Sequence, residues 1–509
     1  MSSGERISPL IRRHLLLSGL FFAAWLLPRF PAVRANVLMR DDFVHEPAGH
    51  LLSYRPLFFL DLLFWNRLIG PEYLRTVWPK LIAGFWIASI ALITFFLLRR
   101  WRYSSIFSAA IVLLFVAHPV VNDFSTSNIF AAVPLSMLLA VAAYRVSLRG
   151  GALSSVGATA LLLLSISGYQ INLAVFLMLA LAGEMICIAG REGWRPTRLV
   201  RPLSIVIAAV LLYGAYILVS VHLLGIRSWG GRGFAVPSLA YDARFLDEKW
   251  HAMSNMMADV AQPLLSYFFN IGVAWRYWSV PFLIVAGVVV VSAIRTRRIA
   301  LLMVAGGIPL IPATAAMLLL GMSWTPEGWR VCGPAVYGFA ISIAVAGRAL
   351  REAFPARALL AERVVSCLLL IAITGAMIVT RRDAAIRVES NLRDEAAVAQ
   401  IKRHWRDRSV DPATTLVQME PRDRATLADP AGERFSRGII AEFRPVTWLM
   451  YSNIWSSFCF PDAFFRFHGL GTAVSEPPPW RPDAATRCSA GSRPQILFDD
   501  AALVAIVCR

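Results

Sequence analysis

The residues best suited to chemistry are an acidic pair and two arginines that lie outside the apolar segments of the chain. The pair is Asp41 and Asp42, in "MRDDFVHEP". Repulsion between neighbouring carboxylates raises the pKa of one of them, which could then take a proton from an attacking hydroxyl while the other orients it or binds a cation. The same pair would also suit a solvated loop start or a helix N-cap. The acidic pair is therefore a candidate catalytic base, with a structural role as the alternative.

The candidate cations are Arg55 in "SYRPL" and Arg330 in "PEGWRVCGP". A guanidinium fork matches a pair of phosphate oxygens. Either arginine could instead extend its charge to lipid head groups, and Lys80 is a weaker third candidate.

Two polar segments, "HPVVNDFSTSN" and "SGYQIN", and the tyrosine of "SYRPL" supply candidate ligands for a sugar or an acceptor. Ordinary turn chemistry with a tyrosine anchored in the membrane interface would explain the two segments equally well. The candidate residues are Tyr54, Asn122, Asp123, Tyr169 and Gln170.

The elements that must position these residues are membrane helices. Of 509 residues, 57% are hydrophobic and 16% charged, and the mean hydropathy is +0.59. Apolar runs of about 20 residues cross a bilayer, and we predict about eleven of them. They cover residues 10–28, 78–98, 104–121, 129–146, 152–168, 170–189, 203–224, 279–294, 299–320, 333–349 and 363–380. Residues 256–275 are apolar but interrupted by polar groups, which favours a re-entrant or interfacial helix.

Basic residues predict the orientation, because they concentrate in cytoplasmic turns. The predicted inward segments are rich in arginine, whereas Arg330 is the only basic residue in the short outward turns. The amino terminus is therefore predicted inside, on an uncleaved first helix, and the carboxyl terminus outside. The net charge of +18 follows from these dispersed turns and does not require a nucleic-acid partner.

The non-spanning segments are predicted to lie on the outer face. They are the loops 29–77, 225–278 and 321–332, and a soluble tail, 381–509, that follows a transmembrane domain of residues 1–380. The tail is predicted to be a small α/β domain in which "PQILFDDAALVAIVC" forms two strands around a turn at Asp499 and Asp500. One disulfide among Cys459, Cys488 and Cys508 is permitted there.

Taken in order, several segments resemble the O-antigen glucosyltransferases of the serotype-converting, Gtr-type family, which belong to the wider GT-C class of membrane glycosyltransferases. They are the acidic pair, "SYRPLFFLDLLFW", "HPVVNDFSTSNIFAAVPLSMLLAVAAYRV" and "LLLLSISGYQINLAVFLMLALAGE". The resemblance spans roughly residues 10–380 and departs from the family pattern at Tyr54, where a glycine is expected. The implied fold is an all-α polytopic membrane protein carrying the small α/β tail.

The resemblance implies an inverting or retaining enzyme of the bacterial inner membrane. It would move a hexose, typically glucose, from a polyprenyl-phosphate carrier to a periplasmic polysaccharide or lipid-linked acceptor such as O-antigen. Asp41 or Asp42 would be the base, and Arg55 or Arg330 would hold the donor phosphate. The resemblance implies no definite cofactor. A divalent cation is an open alternative, but an arginine can stabilise the charge on a donor with a single phosphate.

Two other classes of protein remain open. A transporter or flippase of lipid-linked sugars would share the helix number and charge bias, but we would expect polar residues or broken helices near mid-membrane in related halves. A non-catalytic envelope assembly protein could use the tail as an interaction module.

Overall fold

The computed structural model describes residues 9–37, 55–70, 76–118, 121–126, 131–189, 197–222, 329–407, 416–421, 494–500 and 503–508. Asp41, Asp42 and Tyr54 lie outside these ranges. So do the predicted spans 279–294 and 299–320, the predicted re-entrant segment 256–275, and two of the three tail cysteines, Cys459 and Cys488. The third, Cys508, lies in a described strand.

Helices dominate the described residues. They are α1 (Pro9–Arg34), α2 (Pro56–Ile69), α3 (Trp78–Arg100), α4 (Ser105–Ala117), α5 (Val121–Ser125), α6 (Ala132–Ser147), α7 (Ala152–Gly168), α8 (Asn172–Ala189), α9 (Thr197–His222), α10 (Trp329–Ala353) and α11 (Ala358–Asp407), with a 3-10 turn at Pro355–Arg357.

The predicted helical membrane fold is confirmed at this level. Among the described residues, 4 helical segments are long and apolar enough to cross a membrane. They are Arg12–Arg34, Trp78–Arg100, Arg198–Ser220 and Pro355–Ala396. The total of about eleven spans stays a prediction.

Two predicted boundaries near the first helices are wrong. Helix α1 continues to Arg34, into the predicted loop 29–77, and the predicted span 104–121 ends at Ala117. The reason is Arg29, which is fully buried and donates hydrogen bonds to the carbonyls of Val116 (3.0 Å) and His118 (2.9 Å). An arginine that binds the carbonyls at a helix C-terminus stabilises that end, so one side chain fixes both helices here.

Helix α11 continues the predicted span 363–380 into the predicted tail and forms one element of 50 residues. Its polar half carries ion pairs one turn apart, Asp383 with Arg387 (2.9 Å) and Glu389 with Arg393 (2.6 Å). Pairs at this spacing stabilise a helix, which favours its continuation beyond the apolar run. The first pair is buried and the second is exposed.

Three strands, β1 (Leu416–Pro421), β2 (Pro494–Asp500) and β3 (Leu503–Cys508), form an antiparallel sheet in the order β1-β3-β2. The two strands predicted at the end of the chain are therefore present. Asp499 and Asp500 belong to β2, and Asp500 pairs with Leu503, so the predicted turn position is wrong. The α/β character of the whole tail stays a prediction.

Contacts divide the chain into two compact units. One comprises Met1–Val33 and Glu46–Arg381, and the other comprises Arg34–His45 and Arg382–Arg509. The first unit contains the helix bundle, and the second contains the sheet.

Small residues allow close helix approach in the bundle. Gly84 of α3 faces the ring of Trp25 in α1, and any Cβ there would overlap the ring. Between α6 and α7, Ser165 donates to the carbonyl of Ser136 (2.7 Å) while Ser136 donates to that of Ser165 (2.5 Å). Such small and hydroxylated contacts are typical of membrane helix interfaces.

Successive helices of the bundle alternate in direction and define two ends. At the lower end, Glu362 accepts from the backbone N–H of Ser104 (3.0 Å) and pairs with Arg351 (3.0 Å), which joins the α3–α4 turn to the α10–α11 turn. At the same end, Arg201 of α9 donates to the carbonyl of Gly151 (2.7 Å). Helices α1, α4, α7 and α9 finish at the opposite, upper end, which corresponds to the predicted outward face.

Candidate functional site

Helix α2 is fixed against the upper ends of α6 and α7 by one apolar stripe. Phe58, Leu62 and Trp65 recur at helical spacing and are buried. Beside them, a Cβ at Gly168 would lie 2.9 Å from Leu57 Cδ2. A glycine at the end of α7 therefore gives α2 the space to pack there.

The opposite face of α2 is apolar and exposed. Leu60 is 57% exposed, Phe64 54% and Leu68 64%. At 14 residues, or about 21 Å, the helix is too short to cross a bilayer. These features support the predicted interfacial position of this helix.

The packing of α2 brings two predicted site residues together. The guanidinium carbon of Arg55 lies 5.4 Å from the ring centroid of Tyr169, within the range of a cation–π contact. Arg55 Nε is buried and has no hydrogen-bond partner in the part of the chain that the structure describes. The side chain is therefore held by an aromatic face while at least one donor remains available to an anion.

Gln170, the next residue, is also at this site. Its Nε2 donates to the hydroxyl of Tyr213 (2.8 Å), and its Oε1 is buried without a partner among the described residues. Asn172 repeats the pattern, because its Nδ2 donates to Ser136 Oγ (2.8 Å) while its Oδ1 lacks a partner in the same residues. The α7–α8 turn, which carries Tyr169, thus contains two buried amide oxygens without a hydrogen-bond partner among the described residues.

Asn122 has a different environment. It is fully buried in α5, and its Nδ2 approaches the carbonyl of Thr380 (3.5 Å), while Thr380 donates to the carbonyl of Ala117 (2.7 Å). Trp25 of α1 donates to Ser125 (3.0 Å), which places α5 well below the end of α1. These contacts indicate that Asn122 joins α5 to α11, a structural role that the sequence did not predict.

Two other predicted residues are placed only through their backbones. Asp123 lies in α5 and Arg330 in the first turn of α10. The structure therefore brings Arg55 and Tyr169 together and places Gln170, the next residue in the chain, against Tyr213. The predicted roles of Asp41, Asp42, Tyr54, Asp123 and Arg330 rest on the sequence.

Asp61 is a candidate site residue that was not predicted from the sequence. This partly buried residue of α2 has one carboxylate oxygen, Oδ2, without a hydrogen-bond partner among the residues described. Burial raises the pKa of Asp61 to about 7, and the neighbouring Trp65 acts in the opposite direction. A single acid inside "PLFFLDLLFW" was the available signal.

Tyr213, which accepts a hydrogen bond from Gln170, was not predicted either, because tyrosines are common in membrane spans. Its ring stacks on that of Tyr216 at 6.1 Å between centroids.

Within the described ranges, no three His, Cys, Asp or Glu residues are close enough to hold a metal ion. No family model, curated protein or solved structure matches this chain.

Proposed function

We propose that this chain is a membrane glycosyltransferase that moves a hexose, with glucose the first candidate, from a polyprenyl-phosphate carrier to a periplasmic polysaccharide such as O-antigen. The observation that carries the proposal is the contact of Arg55 with Tyr169 at the upper end of the bundle. In this proposal the chain lies in the bacterial inner membrane with that end facing the periplasm.

The chemistry of the donor matches the surroundings of Arg55. A polyprenyl-phosphate sugar combines an apolar tail, an anionic phosphate and a neutral sugar. Helix α2 offers exposed apolar side chains on one face and, at its N-terminal end, an arginine with an unused donor. A guanidinium at the membrane surface suits a phosphate group, whose charge it can pair bidentately.

The proposed reaction forms one bond and breaks one. The acceptor hydroxyl oxygen attacks the anomeric carbon, the bond from that carbon to the phosphate oxygen breaks, and the electron pair leaves with the phosphate. The hydroxyl proton goes to Asp41 or Asp42, and Arg55 stabilises the charge on the leaving phosphate. The acidic pair enters from the sequence alone, and Arg330 remains the alternative cation.

Surface polysaccharide provides the test. The wild type and the variants Arg55→Gln, Asp41→Asn and Asp42→Asn would be produced at equal membrane levels in a Gram-negative host that makes polyprenyl-phosphate glucose and has no such transferase of its own. Arg67→Gln is the matched control, because Arg67 lies on the same helix α2 and is exposed. Mass spectrometry of the repeat unit reports the added hexose.

We expect one added hexose per repeat with the wild type and with Arg67→Gln, and a loss of about 100-fold or more with Arg55→Gln. One of the two aspartate variants should abolish transfer, which would identify the base. Unimpaired transfer by Arg55→Gln would remove Arg55 from the site, and transfer by both aspartate variants would overturn the mechanism. If the wild type adds no hexose with any lipid-linked donor and acceptor, the proposed function is wrong.

A further inference from the structure

One face of α9 carries polar side chains inside an apolar membrane span. The segment Arg198–Ser220 has a mean hydropathy of 2.3, yet Tyr213, Tyr216 and Ser220 recur at helical spacing near its upper end. Tyr213 is 7% exposed and Ser220 1% exposed. We call these three residues the α9 stripe. Tyr213 and Ser220 are buried, and the hydroxyl of Tyr216 is buried although the residue as a whole is partly exposed, so the stripe faces protein rather than lipid.

The stripe contains buried polar atoms that nothing in the described residues satisfies. The Tyr216 hydroxyl and Ser220 Oγ have no hydrogen-bond partner there, and neither has Gln170 Oε1 at the foot of the stripe. Buried polar groups are nearly always hydrogen-bonded, and leaving them unpaired in a bilayer is costly. Three such atoms along one face indicate a place where a bound molecule supplies the partners.

The stripe stands above the α7–α8 turn. Helix side chains tilt toward the helix N-terminus, so the Gln170–Tyr213 hydrogen bond places Gln170 level with Tyr213 or lower. From Tyr213, α9 continues to His222, about 13 Å of helix at 1.5 Å per residue. Tyr216 and Ser220 therefore lie on the part of α9 that extends past the turn carrying Tyr169, on which Arg55 sits.

The chemical character of this surface is neutral. Helix α9 contains no aspartate or glutamate, and the unpartnered atoms belong to hydroxyl and amide groups. Such groups donate to and accept from hydroxyls equally well, whereas an ammonium or a carboxylate on the ligand would need an opposite charge. The surface suits an uncharged, hydroxyl-rich ring.

We propose that Gln170 and the α9 stripe bind the hydroxyl groups of the sugar on the donor, while Arg55 binds its phosphate. The inference rests on the proposed function and narrows it, because it selects an uncharged hexose over an amino sugar. In this arrangement the neutral and cationic parts of the site recognise the two parts of the donor separately.

Measuring the binding of two probes, one with the sugar and one without it, distinguishes sugar binding at the α9 stripe from phosphate binding at Arg55. The full-length protein in lipid nanodiscs would be titrated with polyprenyl-phosphate glucose and with polyprenyl phosphate that lacks the sugar, and dissociation constants measured by native mass spectrometry. The test variant combines Tyr216→Phe with Ser220→Ala. Ser204→Ala is the matched control, since Ser204 lies on α9 but is exposed and donates to the carbonyl of Arg201 (2.8 Å).

We expect the wild type and Ser204→Ala to bind the glucosylated probe about tenfold more tightly than the bare phosphate, as one or two hydrogen bonds would give. The double variant should lose this preference and keep its affinity for the bare phosphate, whereas Arg55→Gln should weaken the binding of both probes.

Each other outcome is decisive. If the wild type prefers the glucosylated probe and the double variant keeps that preference, the stripe does not bind the sugar and the proposed function stands. If the wild type binds both probes equally, the sugar subsite is excluded while phosphate binding at Arg55 survives. If it binds neither, the proposed function and this inference are both wrong.

Discussion

The two ends of the helix bundle treat buried polar groups differently. At the lower end, Glu362 is 5% exposed and has two partners, Arg351 and the backbone of Ser104. At the upper end, Arg55, Gln170 and Tyr216 each keep a buried polar atom that no described residue satisfies. Satisfied groups hold a structure together, whereas unsatisfied ones indicate a bound molecule or a functional site. Arg348 Nε at the lower end is also buried without a hydrogen-bond partner among the described residues, so the two ends differ in the group of such atoms around Tyr213 and Tyr216 and in the pairing of Glu362. This difference predicts that substitutions of paired and of unpaired groups have opposite effects.

The largest effect on stability is expected at the lower end. Glu362→Ala removes the charge partner of Arg351, which keeps only its hydrogen bond to the carbonyl of Arg102 among the described residues, and removes an acceptor from Ser104. These losses should lower the free energy of unfolding by about 3 kcal/mol. Thermal unfolding of the purified protein in detergent measures the loss. Glu352→Ala is the control, because Glu352, which pairs with Arg348 (3.1 Å), is 25% exposed whereas Glu362 is 5% exposed, and we expect a change of less than about 1 kcal/mol. Equal melting temperatures for Glu362→Ala and the wild type would remove the structural role of this end.

Asp61 should make stability depend on pH. Its pKa in the folded protein is raised to about 7 from 3.8, so the folded state holds a proton that the unfolded state has released between these values. The free energy of unfolding therefore falls as pH rises from about 4 to about 7, by about 2 kcal/mol over the last two pH units, because unfolding then releases the proton of Asp61. Asp61→Asn carries no such proton.

Melting temperatures of the wild type and Asp61→Asn at pH 5, 6, 7 and 8 test this. The variant should gain stability relative to the wild type as pH rises and level off above pH 7. Parallel curves for the two proteins would show that Asp61 is not buried as an acid.

The sequence predicted the helices well and the site contacts only in part. The run over residues 152–168 coincides with α7, because an apolar segment of that length bounded by glycines has few alternatives. Helix α11 was predicted too short, since hydropathy does not register the ion pairs that extend it. Local composition therefore located the apolar part of each helix but not the polar turns added to it, as in α9, which begins at Thr197 rather than at residue 203.

The contacts of the site depend on which side of each helix faces the bundle. Arg55 and Tyr169 were selected separately as candidates, but their proximity follows from the packing of α2 on α7. Tyr216 and Ser220 look like ordinary span residues, and only their burial without partners distinguishes them. A single sequence contains neither the helix neighbours nor the unsatisfied atoms.

Tyr169 tests whether the aromatic face contributes to phosphate binding. Tyr169→Leu removes the ring on which Arg55 sits and should weaken binding of polyprenyl phosphate about fivefold, the value of roughly one cation–π contact. Tyr169→Phe keeps the ring and should bind almost as the wild type does. If both substitutions weaken binding equally, the hydroxyl and not the ring is responsible.

The smallest expected change in the free energy of unfolding comes from two Ser→Ala substitutions in the upper half of the bundle. Ser136 both donates and accepts, to the carbonyl of Ser165 and from Asn172, so Ser136→Ala should lower the free energy of unfolding by about 1 kcal/mol. Ser220 has no partner in the described part of the chain, and Ser220→Ala should leave stability unchanged or raise it by about 0.5 kcal/mol, because a buried unpaired hydroxyl is removed. Melting temperatures without donor, in matched detergent, measure both. Equal losses would mean that the Ser220 hydroxyl is already satisfied in the empty protein, and the contrast between binding groups and structural groups would then not extend to α9.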